Sequence, residues 1–193
     1  MIILSLAWLL ACDPATDDTG GTGLVDDTAV PTPQELAYDD GVAEGNSSPW
    51  GSDGTGAVGV HFTAEGPVRL ITARYYIGFQ GIPTTPFDVE VSTWDAAANQ
   101  PGDVLYTTTA TPAGGDQWLD VDLAGDNLEV DADFVVAMVF TTPPGDDGSA
   151  SLFLGTDQSD PDDRSFVRYE SWGTIRMVWG FPADMMIRAV VGE

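Results

Sequence analysis

The chain has 193 residues and carries 31 acidic side chains against six basic ones, for a formal net charge of -25 at pH 7. All the cations are arginine (Arg69, Arg74, Arg164, Arg168, Arg176, Arg188), and lysine is absent. This balance argues against nucleic acid as a partner, because phosphate neutralisation needs clustered Lys and Arg, and against a basic face that would draw the chain to an anionic bilayer. A salty habitat or a GC-rich genome explains the lysine-free, acidic composition better than an acidic partner does. The length suits one domain with its own core.

Residues 1–11 include an apolar run from Ile2 to Leu10, broken only by Ser5 and Ala7. A bilayer span needs about 20 residues, so the run fits the apolar segment of a signal peptide instead. Cys12 is the single cysteine, which excludes an intrachain disulfide and a cysteine-based metal site. Residues 12–33 are mostly Asp, Thr, Gly and Pro, with Leu24, Val25 and Val30 as their larger apolar side chains. Too little apolar surface is present to offset the entropy of ordering, so an acidic, self-repelling and disordered tether is expected.

From Glu35 to Val191, short β-type runs alternate with Gly, Pro, Asp and Asn clusters, and no long helical period competes. Strands are expected near Leu36 to Tyr38, Ala57 to Thr63, Val68 to Ile77, Phe87 to Trp94, Val104 to Thr109, Trp118 to Leu123, Phe134 to Thr141, Ser151 to Leu154, Phe166 to Tyr169, Thr174 to Val178 and Met185 to Val191. Val58, Val60 and Phe62 share one face, as do Phe87, Val89 and Val91. Leu119, Val121 and Leu123 oppose Trp118, Asp120 and Asp122 in the same manner. Such alternation belongs to half-buried antiparallel strands. Phe134 to Phe140 is apolar throughout and belongs at the centre of a sheet covered on both sides. Residues 34–193 therefore read as an all-β domain: a two-sheet antiparallel β-sandwich, jelly-roll-like, of about ten strands.

Several residue groups invite a functional reading. His61 is the only histidine, sits in a strand and lacks a GxSxG elbow, which leaves no zinc pair and no serine triad. Tyr38-Asp39-Asp40-Gly41, Asp53-Gly54 and Asp157 to Asp163 combine carboxylates with turn formers, the oxygen donors that Ca²⁺ uses. Asp39 and Asp40 are the expected calcium ligands, of structural type. Trp118 shares a face with Asp120 and Asp122, while Trp50 and Trp172 lie in turn-rich segments, so these three are the expected ligand-binding aromatics. Arg188, between Ile187 and Ala189, should pair with a carboxylate across the sheet.

Three resemblances add to this. Leu9-Leu10-Ala11-Cys12 resembles the bacterial lipoprotein signal, although no Lys or Arg precedes the apolar run. The resemblance implies cleavage before Cys12, acylation of its thiol, and anchoring to a lipid bilayer. Tyr38-Asp39-Asp40-Gly41, Trp94-Asp95, Pro101-Gly102-Asp103-Val104-Leu105-Tyr106, Trp118-Leu119-Asp120-Val121, Asp133-Phe134-Val135-Val136 and Met186-Ile187-Arg188-Ala189 look like the β-sandwich modules of secreted bacterial proteins. They imply a galactose-binding-like, jelly-roll accessory domain. Glu129-Val130-Asp131-Ala132-Asp133 resembles the catalytic strand of laminarinase-like glycosidases, but departs from it in having Asp133 where the family has Glu.

The reading that follows is a lipid-anchored protein of the bacterial cell envelope, at the outer membrane or cell surface, with a non-catalytic binding or structural module for a glycan or a protein. Two alternatives stand beside it: a small jelly-roll glycoside hydrolase using Glu129, Asp131 and Asp133, and a calcium-dependent adhesion module.

Overall fold

The structure is a computed structural model that describes residues 32–50, 55–142 and 152–192. The expected signal segment, Cys12, nearly all of the tether and Asp53-Gly54 lie outside those residues.

Among the described residues the chain forms β1 (Gln34–Leu36), β2 (Gly45–Ser47), β3 (Gly56–Thr63), β4 (Val68–Ile77), β5 (Phe87–Asp95), β6 (Gln100–Ala110) and β7 (Gln117–Asp122). After a 3-10 turn at Ala124–Asp126 come β8 (Glu129–Val130), β9 (Asp133–Phe140), β10 (Leu154–Asp157), β11 (Ser165–Arg168), β12 (Trp172–Thr174), helix α1 (Ile175–Trp179), β13 (Asp184–Met185) and β14 (Ile187–Gly192). Two antiparallel sheets result. One has the order β12-β11-β3-β9-β5-β6; the other runs β1-β14-β4-β10-β13, with β2 on β10 and both β7 and β8 on β4.

Period-2 alternation places one face of each sheet inside. Val58, Val60 and Phe62 of β3, Phe87, Val89 and Val91 of β5, and Phe134, Val136, Met138 and Phe140 of β9 form the inner face of the six-stranded sheet. They meet Leu70, Ala73, Tyr75 and Ile77 of β4 and Ile187, Ala189 and Val191 of β14 in one core. The Tyr75 ring is fully buried, and its hydroxyl donates across the core to the Ala137 carbonyl at 3.1 Å, a polar bond from one sheet to the other. Burial alone pushes this phenol well above its usual pKa.

β9 is the covered central strand that its uninterrupted apolar run predicts, because Val135 and Ala137 on its outer face are as buried as the inner residues. The fourteen strands exceed the expected ten because five of them span only two or three residues. One element differs in kind. Thr174 to Val178, expected as a strand, is mostly α1: the Thr174 side chain accepts from the Met177 amide at the N-terminus, and Gly180 closes the helix at φ 78°. Thr174 and Gly180 supply both caps, which outweighs the β-propensity of Ile175 and Val178 over so short a segment.

The Tyr75 bond gives a direct stability test. Tyr75→Phe should lower the unfolding free energy by about 1 kcal/mol in a denaturant titration, since the ring stays packed and only one hydrogen bond is lost. Tyr75→Ala, which removes the ring, should cost about 3–5 kcal/mol.

Candidate functional site

The outer face of the six-stranded sheet carries an organised layer of polar and aromatic side chains. Glu90 on β5 and Arg168 on β11 are separated by β3 and β9, a span of about 14 Å at ordinary strand spacing. They nevertheless form a two-pronged ion pair, with contacts of 3.0 and 3.3 Å. Between them the outer face presents only Ala57, Gly59, Ala137 and Val139, so the two long side chains can lie across it. A Cβ on Gly59 would come within 3.1 Å of the side chains of Ala137 and Val135, so this part of the face is already filled to contact.

Arg168 in turn stacks on the ring of Trp172, 4.7 Å from its centroid. Trp172 lines a cleft of about 230 Å³ together with Phe166, Gly173, Thr174, Met177 and the β5–β6 turn residues Ala98, Asn99 and Gln100. Arg168 is not among these walls, so it holds the ring from outside the cleft. Asn99 is fixed in the turn at φ 52°, a left-handed conformation that asparagine tolerates better than most residues. Met177 is 81 % exposed, and Val178 and Phe181 of the same segment are also exposed, which gives the cleft an apolar shoulder.

Further along the same face, the imidazole of His61 stacks on Trp94 at 3.8 Å and lies 2.9 Å from the Asp133 carboxylate. Trp94 meets Phe166 edge-on, which joins this group to the cleft. Burial holds the His61 pKa below its ordinary value, while the Thr63 hydroxyl and His61 itself hold Asp133 low. His61 is thus a packed strand-face side chain, as the sequence suggests.

The other predicted aromatics lie elsewhere. Trp118 is on the outer face of the eight-stranded sheet, with the guanidiniums of Arg188 and Arg74 at 4.5 and 5.6 Å from its ring and Tyr76 against its edge. The ring is flanked by charges and remains partly exposed. Trp50 packs edge-on against Phe140 at the margin of the core and donates to Ser48. Of the three, Trp172 alone lines a described cleft. Asn99, Gln100, Phe166 and Met177 were not singled out from the sequence; the Asn99-Gln100-Pro101-Gly102 turn signal was the available pointer to two of them.

Asp39 and Asp40, expected together as calcium ligands, face different partners. Arg188 grips both oxygens of Asp39, whose side chain is wholly covered, and the guanidinium pKa rises in response. Asp40 instead joins Glu44 and Asp157, with ligand oxygens within 4.8 Å of one another. The donor set that fits an oxygen-seeking cation is therefore Asp40, Glu44 and Asp157, and Asp39 is not part of it. In this structure those oxygens serve the loops: Asp157 accepts from the amides of Asp40 and Ser159, Asp40 from that of Val42, and Glu44 from that of Gln158.

Glu129, Asp131 and Asp133 do not share a strand face, which corrects the glycosidase alternative. Glu129 belongs to β8 in the eight-stranded sheet and Asp133 to β9 in the six-stranded one, with Asp131 and Ala132 crossing between the sheets. Their alternate spacing would align them only in one continuous strand.

No protein-family model matches the chain, and no curated protein matches it. Solved structures that share its fold include two of one bacterial protein. A clostridial cysteine protease, Cwp84, after propeptide cleavage superimposes with a TM-score of 0.60 and 9 % identity, over 83 % of this chain and 40 % of that one. The cysteine protease and lectin-like domains of Cwp84, a surface layer associated protein of Clostridium difficile, give a TM-score of 0.53 and 11 % identity over 72 % of this chain. The present chain spans well under half the length of either, 40 % and 32 %. The class so defined is an antiparallel β-sandwich.

The acidic loops yield a pH prediction. Asp184 is buried beside Asp162 and Asp157, and desolvation first, then the Asp162 charge, raises its pKa to about 7. Because the unfolded chain releases this proton near pH 4 and the folded one near 7, stability contributed by the protonated form falls as pH rises through that window and levels off above it. Asp184→Asn should flatten the slope and raise the melting temperature at pH 8 while leaving it unchanged at pH 4. An unaltered slope in pH-dependent melts would show that another group titrates there.

Proposed function

We propose that this protein is a non-catalytic binding module displayed at a bacterial cell surface, and that it takes a glycan in the Trp172 cleft. The observation that carries the reading is the pairing of aromatic and apolar walls (Trp172, Phe166, Met177) with the amide side chains of Asn99 and Gln100 in one solvent-facing cleft. A sugar ring needs an apolar surface for its CH groups and side chains that both donate and accept for its hydroxyls. The Glu90–Arg168–Trp172 chain of contacts fixes the ring before a ligand arrives, which lowers the ordering cost of binding.

Two observations support a binding role over a catalytic one. The one cysteine, Cys12, lies ahead of the sandwich, so the sandwich contains no thiol nucleophile, and the carboxylate trio has come apart. The fold likeness to a chain described as cysteine protease plus lectin-like domains fits the lectin-like part better, because this chain is almost entirely strand. Placement at the envelope rests on the lipoprotein-type sequence ending at Cys12 and on the surface association of that neighbour.

A glycan array probed with the full chain should give hits that Trp172→Ala loses and Trp118→Ala keeps. Hits that survive Trp172→Ala, or none at all, would remove the glycan reading. The anchor has its own test: labelled palmitate should enter the wild-type chain and not Cys12→Ser, and a Cys12→Ser variant that stays labelled in the membrane fraction would contradict it.

A further inference from the structure

Arg69 stands apart from the other arginines. Among the described residues, Arg74, Arg164, Arg168, Arg176 and Arg188 each lie within ion-pair distance of a carboxylate, and Arg69 does not, in a chain with 31 acids. One terminal nitrogen of Arg69 donates to the Ala124 carbonyl, while its Nε is buried with no hydrogen-bond partner. Such buried, unbonded donors are rare in folded proteins and call for an explanation.

The same residue lines a cleft of about 420 Å³ with Pro67, Val68, Asn127 and Glu129. Glu129 on β8 is the register partner of Arg69 on β4, so the two side chains start about 5 Å apart on one face, yet they make no ion pair. Asn127, held at φ 49° where the 3-10 turn ends, makes no side-chain hydrogen bond among the described residues, and neither does Glu129. One cleft thus gathers a guanidinium with one terminal nitrogen unengaged, a carboxylate and a primary amide; the enclosed Nε keeps this guanidinium short of partners but does not itself open on the cleft.

We infer that this cleft binds a small zwitterion, an α-amino acid or a molecule of the same charge pattern, with its carboxylate on Arg69 and its ammonium on Glu129. The unengaged terminal nitrogen of Arg69 can donate a charge-assisted hydrogen bond to a carboxylate, and a compact ammonium matches the exposed carboxylate opposite. A ligand of net negative charge would meet Glu129 at the site and the -25 field of the chain on approach. A molecule carrying both signs meets neither penalty. The amide of Asn127 can donate to the first group or accept from the second. Among the described residues the cleft has no aromatic wall, which separates its chemistry from that of the Trp172 cleft, and the inference does not rest on the glycan reading.

The test is an NMR titration of the isotope-labelled full chain with four probes: L-alanine, acetate, ethylammonium and galactose. Alanine should shift the amides of residues 66–69 and 127–130 saturably at millimolar concentration, and acetate and ethylammonium should each bind at least about tenfold more weakly. Arg69→Gln should abolish the alanine and acetate shifts. Glu129→Gln, at an exposed strand end where misfolding is not a concern, should weaken alanine about tenfold and leave acetate no weaker. Absence of alanine shifts, acetate binding as tight as alanine, or a galactose response at these same amides would overturn the inference.

Discussion

The ion pair between Glu90 and Arg168 is the constraint on which the binding face depends. It crosses two intervening strands, and that crossing requires residues without bulk beneath it; Gly59, Ala57 and Ala137 provide them. With its guanidinium held at both terminal nitrogens, Arg168 becomes a fixed plate against which the Trp172 ring settles. Glu90 is 11 % exposed at its side chain, so its desolvation is offset only while Arg168 stays in place. A single interaction therefore links sheet packing, the outer surface and the wall of the cleft.

The scarcity of cations makes every arginine placement consequential. Arg188 and Arg74 share Glu35, while Asp39 and Asp120 complete a network over Trp118 on the opposite sheet. Arg164 rests on the ring of Tyr38 and bonds Thr63 beside the His61–Asp133 pair. In each case a guanidinium is laid on an aromatic ring and fastened by carboxylates or hydroxyls, which combines apolar burial with charge pairing. Others of the described carboxylates accept from backbone amides where strands give way to turns, as Asp95 at the end of β5 does from Ala97 and Ala98.

The sandwich was legible in the sequence because period-2 alternation is a local property. Leu119, Val121 and Leu123 point inward and Trp118 outward as their spacing dictates, and the unbroken run of β9 marks its central position. The site was legible only in part, because it is assembled by partners far apart in the chain. Trp172 meets Asn99 and Gln100 across some seventy positions, a relation that no local pattern encodes. Adjacent residues also diverge: Asp39 turns to Arg188, 149 positions away, and Asp40 to Asp157, 117 away. Glu129 and Asp133 look like one strand face until the chain is seen to change sheets between them.

Function in such a module lies in the side chains that the sandwich carries on its exterior, since the same fold hosts unrelated activities. Here the two sheets differ in what they offer: the Trp118 ring is engaged by arginines, whereas Trp172 is braced by one arginine and lines a cleft. The most direct measurement follows the indole N–H resonances of the full chain during titration with an oligosaccharide that it retains. Trp172 should shift and saturate while Trp50 and Trp118 stay still. A response at Trp118 with Trp172 unmoved would place recognition on the opposite sheet and contradict the assignment.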